Sequence, residues 1–363
     1  MNGKVRFGII GTGRISDWVL KGAVLEPRFE AAAVCSRSLE RAKAFASSHF
    51  IPKVYSDPEE MASDPDIDAI YIGTPNHTHR DLAILCMRKG KHVLCEKPLA
   101  SNAREVEEMI AVAREEGVVL MEAMISTLNP NFINVQKRLP EIGQVRHYSA
   151  AFCQYSSKFG QVLRILSGED SSPVPSSFNP DSSGGALMDV GIYTIYPMVA
   201  LFGRPDSVKA EAKTLMIPAG GTAKPVDIQG NVLFGYPGFT ASVMYSKVAD
   251  SRLRTEISGG NGIISMDQIH IQRQVGLTLR GEPNSGRSSG PDTIDITVPQ
   301  DADEYLCEFR EFIDVVNSGR KESRNNSLSN SLITAGIMDE IRRQAGITFP
   351  ADGSYRLSSQ ACI

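Results

Sequence analysis

The chain has 363 residues, a formal net charge of -4 and 42% apolar side chains. That length leaves room for one or two domains, each with a core of its own. The near-balanced charge excludes the basic excess of a protein that binds nucleic acid or an anionic membrane. No uninterrupted apolar run reaches the ~20 residues of a membrane helix. Cysteines at 35, 86, 95, 153, 307 and 362 form no CxxC pair and read as buried thiols of a reducing compartment. Met1-Asn2-Gly3-Lys4 runs straight into a strand without the pattern of a secretory leader, so a cytoplasmic setting is expected.

The first element is an apolar strand, Val5 to Ile10, followed by Gly11-Thr12-Gly13-Arg14-Ile15-Ser16 and a helical pattern near 14–25. Strand, glycine turn and helix in that order suit a dinucleotide. Gly11 allows the turn, Gly13 admits a pyrophosphate, and Arg14 and Ile15 open a helix whose free N–H groups face phosphate. Ser16 is small enough for close packing of helix on strand. A plain glycine turn is the competing reading, but strand–helix alternation continues. Strand 31–35 leads to a helix near 38–48, strand 69–72 to a helix at 78–89, and strand 92–95 to a helix at 103–116. Asn102 and Glu105 stand at capping-box spacing, Gly117 stops that helix, and strand 118–121 closes the series. Short apolar strands separated by helices predict a doubly wound parallel sheet, a Rossmann domain over residues 1–124.

Beyond residue 125 a helix at 130–139 precedes an alternating strand, 145–152. A Pro, Ser and Gly-rich loop spans 167–185. Strands are expected at 207–214, 227–234, 240–245, 254–258, 262–266 and 269–272, punctuated by glycine turns. Residues 281–292 read as an exposed, mobile loop, and helices at 302–318 and 327–345 end the chain. The second domain is therefore expected over 125–363, an α+β unit with a large, mainly antiparallel sheet for substrate binding and oligomerisation.

Several positions carry chemistry. The tip of the second strand, Cys35-Ser36-Arg37-Ser38, lacks the carboxylate that binds the ribose hydroxyls of NAD. Arg37 suits a 2′-phosphate, with Ser36 beside it, so NADP is preferred over NAD; stacking of Arg37 on adenine, or capping of the next helix, is the plainer reading. Thr74, Pro75 and Asn76 end a strand where the nicotinamide ribose is expected. His77 and His79 have no Cys, Asp or Glu at usable spacing, so no metal site is expected, and His79 orders the loop or touches the ribose. Glu96-Lys97-Pro98 ends another strand on the ligand-binding edge, where Pro98 halts the ladder and frees the Lys97 side chain. Asp189 and Tyr193, four apart, share one face if helical, and Gly184, Gly185 and Gly191 allow close approach of backbone to substrate. Tyr155, Lys158 and Phe159 line the pocket or a surface loop.

Taken together, the glycine run, Gly73-Thr74-Pro75-Asn76-His77-Thr78-His79, Cys95-Glu96-Lys97-Pro98, Met121-Glu122-Ala123 and Gly184-Gly185-Ala186-Leu187-Met188-Asp189-Val190-Gly191-Ile192-Tyr193 resemble the glucose-fructose oxidoreductase, inositol dehydrogenase and MocA family. The resemblance implies an NAD(P)-dependent oxidoreductase acting on a sugar, polyol or cyclitol, without a metal, as a homodimer or homotetramer. It implies that Lys97 is the catalytic lysine and that Glu96 helps seat the nicotinamide. Tyr193 stands where many members have His. Free tyrosine titrates near ~10, so a phenolate at pH ~7 needs about 4 kcal/mol of stabilisation, which Lys97 and the cofactor's positive ring could supply. Tyr193 would then exchange the proton, Lys97 tune it and Asp189 orient the substrate; a base role for Lys97 itself stays open. Branches with Tyr usually carry a Trp-Thr-Arg-Phe-like segment where this chain has Met124-Ile125-Ser126-Thr127-Leu128, so an arginine that could meet the nicotinamide end of the cofactor is missing and the resemblance does not by itself transfer those branches' substrates. The same scaffold also serves redox-neutral glycoside hydrolases with tightly bound NAD, and regulators that bind dinucleotide without turnover.

Overall fold

A computed structural model describes residues 3–280 and 292–353. By its internal contacts the chain divides into two units, Met1–Leu128 with Asp301–Gly336, and Asn129–Gln300 with the residues from 337 on.

The first unit is built on β1 (Val5–Ile10), α1 (Arg14–Ala23), β2 (Phe29–Cys35), α2 (Leu39–His49), β3 (Lys53–Tyr55), α3 (Pro58–Ser63), β4 (Ala69–Ile72), α4 (His79–Arg88), β5 (His92–Glu96), α5 (Ala103–Glu116), β6 (Leu120–Ala123) and α6 (Ile125–Leu128). Its six strands pair in parallel in the order β3-β2-β1-β4-β5-β6. They are short and apolar because both faces are covered; β4 is buried at every residue. The Asn102 side chain accepts the Glu105 N–H at 2.9 Å, and Gly117 ends α5 in the left-handed region. The chain runs outward from β1 to β3 and returns to β4. The carboxyl ends of β1 and β4 therefore flank the switch point where such sheets take ligands.

The second unit comprises α7 (Pro130–Arg138), β7 (Val145–Cys153), α8 (Phe159–Leu166), α9 (Ile192–Phe202), β8 (Ser207–Ala219), β9 (Thr222–Tyr236), β10 (Phe239–Ser246), β11 (Thr255–Gly259), β12 (Gly262–Met266), β13 (Val275–Leu279) and β14 (Thr293–Asp295). Its eight-stranded sheet has the order β14-β13-β12-β11-β7-β10-β9-β8. The β7–β10 pair is parallel and the other neighbours are antiparallel. The strand expected at 269–272 is a turn. The buried Gln272 amide folds back to donate to the Ile269 carbonyl, while Asn131 on α7 donates to the Gln272 carbonyl at 2.9 Å; the next strand starts only at Val275. The stretch Pro180–Phe202 is long and apolar enough to cross a membrane, but 72% of its most apolar window lies buried inside the protein, which makes it a core segment. All but the last residue of the loop expected at 281–292 lies outside the described residues.

Two helices close the described chain, α10 (Leu306–Asn317) and α11 (Leu328–Gln344). They correct the expected boundaries of 1–124 and 125–363, because Asp301–Gly336 belongs to the first unit. The reason is aromatic packing. On α10, Phe309 lies 5.4 Å from Phe7 and 5.1 Å from Phe29 between ring centroids, and Phe312 lies 5.6 Å from Phe7. Arg28 adds an ion pair to Asp314 at 2.6 Å. The large rings of β1 and β2 thus find their cover on a helix near the far end of the described chain.

Candidate active site

The phosphate end lies at the carboxyl tip of β1. Gly11 has φ +109°, and a Cβ there would lie 2.5 Å from the Gly73 carbonyl oxygen, so only glycine fits this close crossing of β1 and β4. Gly13 precedes α1 with no side-chain cap, and a Cβ on it would meet nothing within 4 Å. Exposed backbone and uncapped first-turn N–H groups are what a pyrophosphate needs, so these residues fit the dinucleotide. Ser16 is buried, and a Cβ on Gly73 would lie 2.7 Å from its hydroxyl, which explains a small residue at this helix position. Arg14 is exposed, its guanidinium 4.9 Å from the Trp18 ring centre.

At the tip of β2, Ser36 is half-buried and accepts from the Thr12 hydroxyl at 3.4 Å, while Arg37 is exposed. Capping of α2 is done by Ser38, whose hydroxyl accepts the Arg41 N–H at 3.3 Å, so Arg37 is not used as the cap.

After β4, Thr74 and Thr78 share a hydroxyl–hydroxyl bond of 2.7 Å, and the Thr78 hydroxyl donates to the Pro75 carbonyl at 2.8 Å. His79 is completely buried. Its Nδ1 lies 2.9 Å from the Pro98 carbonyl and its Nε2 lies 2.8 Å from the Thr74 carbonyl. A neutral ring carries one N–H and donates to one of these two carbonyls; buried between the loop after β4 and the turn after β5, His79 is placed for the loop-ordering role expected of it. Burial holds the imidazole below its ordinary range, against the pull of the two carbonyls. His77 is exposed and interacts electrostatically with His79.

Lys97 follows β5, half-buried and joined to Pro98 by a cis peptide. Beneath it the first unit holds three buried glutamates. Glu96 accepts the Tyr71 hydroxyl at 2.7 Å, Glu122 accepts the Leu99 N–H at 2.9 Å, and Glu308 from α10 interacts electrostatically with both Glu96 and Lys97. Desolvation raises all three carboxyls, with Glu122 at about 7 despite the bond from the Leu99 N–H; Lys97 pulls each of them back. Asn326 pins the end of this layer, donating to the Glu122 and Met124 carbonyls at 3.1 and 3.0 Å and accepting from Thr127 at 2.5 Å. Sequence reading found Lys97 and Glu96 but missed Tyr71, Glu308 and Asn326, which no motif marks.

In the second unit, Leu187–Gly191 forms a π turn that leads into α9. The four-residue spacing of Asp189 and Tyr193 is thus not that of a plain α-helix; wide turns of this kind are rare and concentrate at functional sites. Tyr193 stands edge-on to Phe152 and His270, at 5.5 and 6.1 Å, and those two rings stack at 4.1 Å. Asp189 is paired with Lys247 at 2.6 Å. The expected role of the glycines also changes. A Cβ on Gly184 would strike the Ser176 carbonyl, one on Gly185 (φ +141°) would strike the Asp227 carboxylate, and one on Gly191 would lie 3.1 Å from Leu187 and Tyr245. These three serve protein packing rather than approach to a substrate. Asp227, accepting the Leu187 N–H at 2.6 Å, has its carboxyl pushed by burial to about 6. Asp227 and Lys247 were missed; a lone charge inside or just after an apolar strand was the available signal. Tyr155 is exposed and packs on Phe159.

A doubly wound sheet with this glycine turn and a lysine on its carboxyl edge defines a dinucleotide-binding oxidoreductase class. Residues 5–124 match the family model described as an oxidoreductase family with an NAD-binding Rossmann fold, and residues 139–265 match the family's C-terminal domain. The chain belongs to the GFO/IDH/MocA family and is an NAD(P)-dependent oxidoreductase of CH–OH groups. It is 42% identical to scyllo-inositol 2-dehydrogenase (NADP(+)) IolU of Bacillus subtilis, over 96% of this chain and 99% of that one. It is 33% identical to trans-1,2-dihydrobenzene-1,2-diol dehydrogenase of Xenopus tropicalis, over 95% and 99%. Among solved structures, a 3-ketoreductase from Actinomadura kijaniata in complex with NADP and TDP-benzene is 26% identical, with TM-score 0.75 over 94% of this chain and 97% of that one.

Proposed function

We propose that the protein is an NADP-preferring dehydrogenase or reductase of a small polyol, sugar or cyclitol, working at a secondary carbinol and its carbonyl. The observation that carries the reading is Lys97, kept half-exposed on the ligand-binding edge and in electrostatic reach of three buried carboxyls. The substrate class is supported by the names of the inositol and dihydrodiol dehydrogenases to which the chain is similar. Backbone N–H groups around Gly11, Gly13, Arg14 and Ile15 would hold the pyrophosphate, Ser36 and Arg37 the 2′-phosphate, and Thr74, Pro75 and Asn76 the ribose, with Glu96 seating the nicotinamide. When bound there, NADPH would supply the hydride to a carbonyl and NADP+ would accept it from a carbinol. The Lys97 ammonium polarises the substrate oxygen and lowers the cost of a phenolate at Tyr193. Tyr193 exchanges the hydroxyl proton, and Asp189 accepts a second substrate hydroxyl to orient the carbon that reacts.

Turnover of a panel of cyclitols and aldoses, followed by absorbance of the reduced cofactor, tests the substrate class; failure of every polyol tried would overturn it. Tyr193→Phe keeps the ring and is expected to lower oxidation at least a hundredfold with cofactor affinity intact. Lys97→Met is expected to do the same. If Lys97 is the base, Tyr193→Phe shows only a modest loss and an unchanged pH profile, and the role of Tyr193 falls.

A homodimer or homotetramer through the second unit's sheet is part of the proposal. The exposed Met216, Leu233, Ile263 and Ile294 on β8, β9, β12 and β14 support it; a monomeric mass by light scattering would overturn it. A cytoplasmic setting suits the free, mostly buried cysteines, among them Cys35, Cys86 and Cys95.

A further inference from the structure

Lys247 follows the last residue of β10 and is one of the largest fully buried side chains of the described residues. Its backbone is fixed on both sides: its N–H donates to the Ile228 carbonyl at 2.9 Å, and its carbonyl accepts the Ser156 N–H at 2.8 Å. The ammonium stands 2.6 Å from the Asp189 carboxylate, donates to the Ser177 carbonyl at 2.9 Å and lies 4.0 Å from the centre of the Phe178 ring. Two oxygens and an aromatic face thus occupy a cation with three donors.

The pair is asymmetric, the lysine side chain being 2% exposed and that of Asp189 38%. A surface ion pair would leave both partners wet and mobile. Here the cation is sealed in protein and the anion is half-open. Taking an ammonium out of water is costly, and for stability alone a pair of well-packed apolar side chains in place of both partners would serve as well or better. What lysine adds is a fixed charge under one oxygen of Asp189. A carboxylate has about four acceptor positions, so this contact leaves it able to accept a hydroxyl as well.

We propose that Lys247 is a positioning residue for the reaction: its buried ammonium holds the Asp189 carboxylate oriented to receive a hydroxyl of the substrate. This rests on the substrate-orienting role assigned to Asp189. Lys247 touches neither cofactor nor reacting carbon in this scheme; it acts through Asp189, while its charge also favours the buried Asp227 carboxylate that holds the Leu187 N–H, and the part that runs through Asp189 is what a double-mutant cycle isolates.

A double-mutant cycle tests it in the full-length protein, with Lys247→Met, Asp189→Asn and the double variant, on whichever polyol the wild type turns over. Lys247→Met is expected to raise KM or lower kcat/KM at least tenfold while the Kd for NADP, measured by titration, stays within twofold of wild type. In the Asp189→Asn background the same substitution is expected to cost less than threefold, because the group it positions is already gone. Equal losses from Lys247→Met in both backgrounds would make its role structural and overturn the proposal. A normal kcat/KM in Lys247→Met, with Asp189→Asn damaged, overturns it too and leaves the role of Asp189 standing. A normal Asp189→Asn overturns that role and the proposal with it. If Met at 247 fails to fold, Lys247→Gln, which keeps a donor for the Ser177 carbonyl and removes the charge, takes its place in the cycle.

Discussion

Arg37 stands exposed at the tip of β2, next to a serine already linked to the phosphate loop through Thr12. Since Ser38 caps the following helix, the guanidinium is spared that task. A charge-assisted contact to phosphate is worth ~1.5 to 3 kcal/mol, so Arg37→Ala should weaken NADP binding more than tenfold and leave NAD nearly unchanged. Fluorescence titration of both cofactors checks it, and equal losses would remove the case for NADP. His79 carries the opposite lesson. It sits in a motif that suggests ligand contact, yet burial between two backbone carbonyls makes it a brace for its own loop. Residue type and position in sequence look the same for both roles; only the surroundings of the ring decide.

At the scale of elements, β5, β6 and α10 each contribute a glutamate to one buried layer, Glu96, Glu122 and Glu308. The folded-state value of Glu122, about 7, lies above its ordinary 4.5, so the folded protein binds this proton more tightly than the unfolded chain. Below about pH 4 the carboxyl is protonated in both states and costs nothing. Stability attributable to it falls as pH rises from about 4 to 7, and above about 7 the loss is complete, roughly 3 kcal/mol. Glu122→Gln mimics the protonated form. The variant is expected to gain on the wild type by about that amount between pH 4 and pH 8 in stability from denaturant titration; a difference independent of pH would contradict it.

For the whole molecule, the aromatic layer of Phe7, Phe29, Phe309 and Phe312 means that the first unit is not contained in its first 128 residues. Removing one such ring from a core typically costs 3–5 kcal/mol, and ending the chain at Leu128 removes two, together with the Asn326 bonds. A fragment of residues 1–128 is therefore expected to unfold without cooperativity and to bind NADP at least a hundredfold more weakly than the full chain, by circular dichroism and titration. A fragment that melts sharply and binds normally would show that α10 is dispensable.

What the sequence determined by itself was local. Alternating apolar strands and helices, the glycine turn, the cap at Asn102 and the Glu96-Lys97-Pro98 turn are set by neighbours within a few residues, and each was legible. The tertiary structure alone decided the rest, because burial and pairing depend on which distant segments meet. It turned Gly184, Gly185 and Gly191 from substrate-facing into packing residues, made the Asp189 segment a π turn and replaced the strand at 269–272 by a turn held by Gln272 and Asn131. It also brought Glu308 and Asn326 to the layer under Lys97, and Lys247 to Asp189. A charge in the sequence carries no mark of the partner that will justify its burial; only the fold supplies that partner.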